Sequence, residues 1–409
     1  MATQAKAQAN QATRATRATQ AKKGSARLGS YLRKLRNGYG YSLRRVEERA
    51  RAEGGEIDNS QLSRYEKGIC YPSFDKLRIL ASVFNVSIQS FSDIVDLENL
   101  EDLKPSSDQP EELIQEGVAN MRAGDHGQAF AAFERALEVV LDCPASDGGV
   151  ELISRIRINQ AAALTRLGKL ALAEQELRAA LRNAERLSGN LRARALLALA
   201  NIHADQGDNF LAEMEAERAH AIAAADDPGR LAAMALHSLG RVAFEQGAHA
   251  RAIERYREAA NLYGKCDEPF EATSVRINIG ICYVHLGKAR EGIRMLRTSL
   301  TEARAGNHRR LVARTWSHLG EAYYRQNDPK RARACFRESD ALAVYNNEKQ
   351  NDILFLNAFY EWKMAIDQDN PTRERIAFGR LKVLRSELER RTAEVDAFDE
   401  FVERGRNHA

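Results

Sequence analysis

Gly124, Gly168, Gly207, Gly247, Gly287 and Asn327 recur along the chain at separations of 44, 39, 40, 40 and 40 residues. Seven residues ahead of each sits a small residue: Gly117, Ala161, Ala200, Gly240, Gly280 and Gly320. Five residues after each comes another: Ala129, Ala173, Ala212, Ala252, Gly292 and Ala332. This pattern predicts two antiparallel helices per unit. Small facing residues let the helices approach closely, and the intervening Gly supplies a positive-φ turn. Apolar residues at helical spacing then face both the partner helix and the next unit. One such unit cannot bury its own face, so the units must stack.

The array runs over 111–402 as six repeats plus a degenerate C-terminal hairpin, read over 349–402 and broken at Asp369-Asn-Pro371. Phe398 and Phe401 suggest an end helix that docks as a cap. The third unit is weakest in its second helix, where Ala216 replaces a large residue.

Ahead of the array, Arg27 to Arg36 reads as an amphipathic helix with Leu28, Tyr31, Leu32 and Leu35 on one stripe. Asn37-Gly-Tyr-Gly40 breaks it, and Ser42 is placed to cap a second helix through Leu43, Val46 and Ala50. In the segment Asp58 to Gly68, Leu62 and Tyr65 face a core, leaving Asn59, Ser60, Gln61, Ser63 and Arg64 outward. Amides, hydroxyls and a guanidinium are the groups that pair with base edges in a major groove. Gly68 ends that helix, Pro72-Ser73 starts another with Leu77, Leu80, Ala81 and Phe84, and Val86 to Val95 closes the set.

Charge agrees with a nucleic-acid partner. Residues 1–97 hold 17 Lys and Arg against 9 Asp and Glu, while the remainder is mildly acidic. The first 46 residues contain no acidic residue. This is a basic head on an acidic body, the footprint of phosphate attraction. Residues 1–26 read as a disordered basic arm, residues 27–97 as the reading domain and residues 98–110 as a short linker with the composition of a hinge. The arm is either a phosphate-following extension or a solvated tail.

The ordered elements between Leu28 and Phe91 resemble the Cro/XRE family of bacterial and phage repressors. The resemblance implies that Arg36 and Glu66 form a structural ion pair. It also implies that Asn59, Ser60 and Arg64 read bases, with Gln61 an alternative at the first turn, and that Ser42 and Lys67 contact phosphates. Ser63, on the same outer face, joins that phosphate set. The chain departs from the family at Arg51–Ile57, where the turn is lengthened. The repeats resemble the tetratricopeptide repeat, most closely at Trp316-Ser-His-Leu-Gly-Glu-Ala-Tyr-Tyr with Ala332 and Phe336. The expected fold is therefore all-α: a lambda-repressor-like helix-turn-helix domain followed by a tetratricopeptide-repeat right-handed solenoid.

The first helix of each repeat lines the concave side, which makes its polar residues ligand candidates. Arg157-Ile-Asn159 recurs as Arg276-Ile-Asn278 at the same register, and a carboxamide there can pair with both groups of an extended peptide's backbone. Arg155, Asn201, Arg241, Arg314 and His318 fall at or beside groove positions. Each is equally at home as a solvated polar residue on an amphipathic helix.

The whole architecture resembles Rgg/PlcR-type peptide-sensing regulators. That resemblance implies a cytoplasmic bacterial homodimer that binds double-stranded DNA and takes a small peptide in the groove. A competing expectation makes the repeats a scaffold for a protein partner with no small ligand, and a third makes them only a dimerisation device.

Several classes are disfavoured. There is no apolar run approaching the ~20 residues of a membrane span. No Gly-x-x-x-x-Gly-Lys loop, His-Glu-x-x-His motif or Cys-x-x-Cys pair occurs. The five cysteines are scattered, which fits burial in a reducing compartment. No cofactor, metal or catalytic set is expected.

Overall fold

The computed structural model describes residues 24–142, 149–226, 229–345, 348–388 and 392–407. The basic arm and Cys143 lie outside this set, apart from the arm's last residues. The chain divides into two compact units, 1–145 with 159–176, and 146–158 with 177–409.

In the first unit, five short helices form the head: α1 (Ala26–Gly38), α2 (Leu43–Ala52), α3 (Asn59–Glu66), α4 (Phe74–Val83) and α5 (Ile88–Asp96). Local chemistry sets where most of them start. The side chains of Ser25, Ser42, Asp58 and Ser87 each accept a backbone N–H of the first turn, satisfying donors that a helix leaves open. Leu28, Leu32, Val46, Leu62, Leu80, Phe84 and Phe91 close the core. The lengthened turn after α2 passes through Gly54 at positive φ and buries Ile57. Gly55 lies so close to Ile79 that a Cβ would fall 2.2 Å from its Cδ1.

The segment with the composition of a hinge is instead ordered. Leu97–Leu103 forms a 3-10 helix, and Leu100 lies against Gly127 of α7 (His126–Asp142), the partner of α6 (Pro110–Ala123). Arg27 pairs with both Glu101 and Glu134. Lys104 reaches Glu101, Glu134 and Glu138 at 2.8, 3.0 and 2.8 Å. Lys169 bridges Asp93 and Asp96 at 3.0 and 2.6 Å. Burial opposes the Lys169 charge, yet the two carboxylates hold its ammonium above the ordinary lysine range. The Tyr31 hydroxyl pairs with the Gln175 amide. Head and first helical pair are thus joined by ionic and apolar contacts.

Two helices, α8 (Gly149–Arg166) and α9 (Leu170–Ala180), contribute to both units. A 3-10 segment, Leu181–Arg186, follows with Asn183 outside helical geometry. The second unit then stacks five helical pairs. These are α10 (Gly189–Asp205) with α11 (Asn209–Asp226), α12 (Arg230–Glu245) with α13 (His249–Lys265), and α14 (Pro269–His285) with α15 (Ala289–Ala305). The last two are α16 (Arg309–Arg325) with α17 (Pro329–Ala343), and α18 (Asn351–Asp367) with α19 (Pro371–Ser386). A terminal helix, α20 (Ala393–Asn407), ends the chain. The only β-pairing among the described residues joins Val344–Tyr345 to Glu348–Lys349.

Gly124, Gly168, Gly207, Gly247 and Gly287 all take positive φ, and Asn327 takes 56° in the same role. At the facing position, a Cβ on Gly320 would sit 2.3 Å from the Phe336 ring, so the helices touch through a missing side chain. The first helices α10 and α12, α14 and α16, and α16 and α18 pack on one another, whereas second helices make no comparable contact. The first helices therefore form the tighter, inner layer of this unit. At its end Phe398 is buried and meets Phe355 and Trp362 edge-on, while Phe401 stays half exposed over Trp362.

Candidate nucleic-acid interface and repeat groove

Helix α3 is held from behind. Gly29 of α1 lies where a Cβ would meet the Tyr65 and Glu66 carbonyls at 2.6 and 2.7 Å, so α1 and α3 approach backbone to backbone. There Arg36 clamps Glu66 with two bonds, Nε to Oε1 at 2.6 Å and Nη2 to Oε2 at 2.9 Å. Its Nη1 donates to the Tyr41 carbonyl at 3.0 Å. The hydrogen bonds to Glu66 raise the Arg36 guanidinium above its ordinary range. Glu66 is buried, and a bidentate pair of this kind fixes orientation as well as distance.

With that support, Asn59, Ser60, Arg64 and Lys67 stand exposed. Asp58 caps the helix through the Gln61 N–H at 2.7 Å, so the first turn begins at Asn59. Gln61 differs: it is half-buried and its Oε1 accepts from Lys76 Nζ at 2.7 Å. Ser63 is half-buried. Ser42 is exposed and caps α2 by accepting the Arg45 N–H at 3.1 Å. Two residues absent from the sequence-derived set, Arg44 and Arg45, are exposed beside it. Their signal was available: basic side chains in the first turn of a capped helix without acidic neighbours there.

In the second unit the groove residues are brought together across neighbouring repeats. Arg314 donates through Nη2 to Asn278 Oδ1, and Asn278 Nδ2 lies 3.1 Å from His237 Nε2. That chain of bonds makes His237 Nε2 an acceptor and the ring neutral. Burial, with Arg314 and Arg241 nearby, lowers the His237 pKa to about 4. One repeat earlier, Arg241 bonds Asp205 at 2.8 Å and Asn201 at 3.1 Å, while Ser238 donates to the same Asn201 oxygen at 3.0 Å. His237 was not among the sequence-derived candidates, because only proximity to Asn278 marks it.

Further along, buried Glu321 takes His285 Nε2 and His318 Nδ1, each at 3.1 Å, and Arg325 at 2.9 Å. Burial works against its charge, but the two histidines hold it well below the usual carboxylate range. Arg155 and Asn159 are half-buried on α8. They belong to different compact units. Burial and the charge of Arg155 lower the Arg194 guanidinium. No group of three or more metal-ligating residues occurs among the described residues.

A helix-turn-helix family model matches residues 32–91, and a tetratricopeptide-repeat model matches 191–265 and 271–343. Among solved structures, a Rap protein complexed with Competence and Sporulation Factor is similar at a TM-score of 0.54 and 16% identity, over 69% of this chain and 78% of that one. The apo quorum sensor NprR from B. thuringiensis gives 0.53 and 15%, over 70% and 79%. The apo form of RapI gives 0.52 and 11%, over 68% and 77%. No curated protein is significantly similar to the chain in sequence. Among the described residues no helix is long and apolar enough to cross a membrane.

Proposed function

Because this chain joins a Cro/XRE-type helix-turn-helix domain to tetratricopeptide repeats, we propose that it is a ligand-responsive transcriptional regulator that reads DNA with α3. The observation that carries this reading is the exposure of Asn59, Ser60 and Arg64 on a helix locked by the Arg36–Glu66 pair. Asn59 and Arg64 suit bidentate contacts to base edges. Ser42 and Lys67, with Arg44 and Arg45, suit phosphates, which position the head without reading sequence. Gln61 and Ser63 take lesser parts, Gln61 through its bond to Lys76.

The repeat groove takes the effector, a small peptide. The polar ladder of Asn201, Arg241, Asn278, Arg314 and His318 supports this, as does the likeness of fold to a Rap protein solved with Competence and Sporulation Factor. Arg155 extends the same set by register, and Asn159 repeats the Asn278 register within the first unit. The protein works as a homodimer whose heads sit about one DNA turn (~34 Å) apart, and the effector shifts the population toward or away from that spacing. It acts in the bacterial cytoplasm.

The test is binding to a duplex selected from a random pool, against a scrambled duplex at fixed salt. Arg64→Ala should remove about 1–3 kcal/mol of discrimination, whereas Lys67→Ala should weaken both duplexes alike. Equal losses from both variants on both duplexes would remove α3 as the reader.

A further inference from the structure

On the outer side of the repeats, between the second helices α15 and α17, lies a cleft of about 370 Å³ floored by α16. Its walls are Leu300, Leu319 and the ring of Trp316, and its rim carries Arg297 and Arg331. Arg297 Nη2 donates to the Tyr323 hydroxyl at 2.8 Å. Arg331 lies 5.6 Å from the centre of the same ring and 3.4 Å from Asp328. The Trp316 Nε1 is buried with no hydrogen-bond acceptor among the described residues. Cys335 at the base is buried, and burial pushes its thiol up to about 11, so it serves as a small wall and not as a nucleophile.

The repeats supply their own control. Exactly one period earlier, 40 residues back, the Arg–Tyr contact is kept: Arg257 donates to the Tyr283 hydroxyl at 2.6 Å. The other positions differ. Arg276 replaces Trp316, Glu291 replaces Arg331, and Met295 replaces Cys335. Arg276 is tied to Glu302 at 2.9 Å, and Met295 packs onto the apolar core there. Between these repeats a bulky side chain occupies the base and a carboxylate stands on the rim. Between the next two, a small thiol leaves space, the rim charge is inverted, and an indole with an unmatched N–H forms the wall.

We propose that the cleft between α15 and α17 binds a small organic acid with a compact aromatic or apolar body and a single carboxylate. The carboxylate sits between the Arg297 and Arg331 guanidiniums, whose fork geometry suits it. The body lies on Trp316, Leu300 and Leu319. One carboxylate matches the rim, because Tyr323 and Asp328 already engage part of the two guanidiniums. The volume falls within the roughly 300–1,000 Å³ of small-ligand sites and holds one ring with a short acid arm. The site opens between second helices and takes its floor from Trp316, Leu319 and Tyr323 of α16, residues distinct from Arg314 and His318 of the effector groove on that helix.

The probe is 4-fluorophenylacetate, followed by fluorine NMR on the full chain, with 4-fluorophenylacetamide as its neutral match. The acid should bind saturably and by about tenfold or more better than the amide, the scale of a charge-assisted contact. In a Trp362→Phe background Trp316 is the sole indole, and its emission should titrate with the acid at the same midpoint. Trp316→Arg, Glu291's counterpart change Arg331→Glu, and Cys335→Met together install side chains this fold already carries one period earlier. That triple variant should retain its helicity and lose the acid. Arg297→Gln with Arg331→Gln should bind acid and amide alike. Absence of saturable binding to the unaltered chain, equal affinity for acid and amide, or undiminished binding by the triple variant would each overturn the assignment.

Discussion

On α3, Asn59, Ser60 and Arg64 stand exposed with no side-chain partner among the described residues. On the first helices of the repeats, Asn201, Arg241, Asn278 and Arg314 are hydrogen-bonded to one another or to residues beside them. The same residue types thus serve two designs. The head keeps its polar face open and places its ion pair behind it, whereas the groove satisfies its polar groups internally. A ligand entering the groove must exchange bonds already made, and each displaced group has to find a replacement. DNA meeting Asn59, Ser60 and Arg64 displaces water and counterions, whereas phosphates meeting Arg44 and Arg45 compete with Glu48, which lies 3.7 and 3.0 Å from them.

The sharpest way to break this contrast is to remove the support behind α3. Glu66→Ala leaves the half-buried Arg36 guanidinium without its carboxylate and held only by the Tyr41 carbonyl, which should destabilise the head by about 3–5 kcal/mol. Hydrogen exchange resolves the regions: amides of α1 and α3 should lose protection, while those of α14 to α17 keep theirs. Unchanged protection in α3 would mean that the pair does not hold the reading face.

The groove's counterpart is a pH experiment. His237 sits near 4 in the folded chain, below the ordinary value of about 6.5. As pH falls through 6.5 the unfolded chain takes up a proton that the folded chain refuses. The His237 contribution is therefore complete above pH 6.5 and is lost between there and about pH 4, on the order of 3 kcal/mol. Burial also lowers His249 and His318, with the same sign, so the informative quantity is the difference from His237→Gln. That variant should show a shallower decline of unfolding free energy across this window. Parallel curves would remove the neutral ring from the Arg314–Asn278 chain.

A smaller effect tests how the stack is built. Gly320→Ala drives a methyl group into the Phe336 ring and should cost about 1–3 kcal/mol by overpacking, read as a lower Cm in denaturant. Gly124→Ala probes something different, since a Cβ there meets open space but the backbone sits at φ 87°. Its cost is backbone strain alone, about 1 kcal/mol or more.

How much of this the sequence discloses depends on the range of the interaction. Helix starts are local: Ser42 and Asp58 announce themselves because the capping oxygen and the N–H it accepts lie three residues apart. Repeat turns are nearly as plain, since Gly287 and Asn327 need positive φ wherever the array goes. The groove was legible only as a register. Asn278 could be placed on the inner face, but its bonds run to His237 and Arg314, 41 and 36 residues away. The ordered joint at Leu97–Leu103 was hidden because its acidic, Pro-flanked composition is that of a loop. Its order comes from Arg27 and Lys169, side chains distant in sequence, and from the reach of Lys104 to Glu134 and Glu138. The outer cleft was less visible still, being a difference between two repeats that share one pattern.

The smallest expected effect separates two roles of one hydroxyl. Ser42 Oγ accepts the Arg45 N–H as a cap, which leaves its own hydrogen available to a phosphate oxygen. Alanine would remove both functions at once and teach little. Glycine is nearly as good a cap residue, so Ser42→Gly should change stability by only a few tenths of a kcal/mol. It nevertheless deletes the donor, and binding should weaken by about threefold to tenfold on selected and scrambled duplexes alike. A loss confined to the selected duplex would make Ser42 part of the base-reading face. No loss on either would confine it to capping, and the exposed basic pair Arg44 and Arg45 would then carry the phosphate contact at the start of α2.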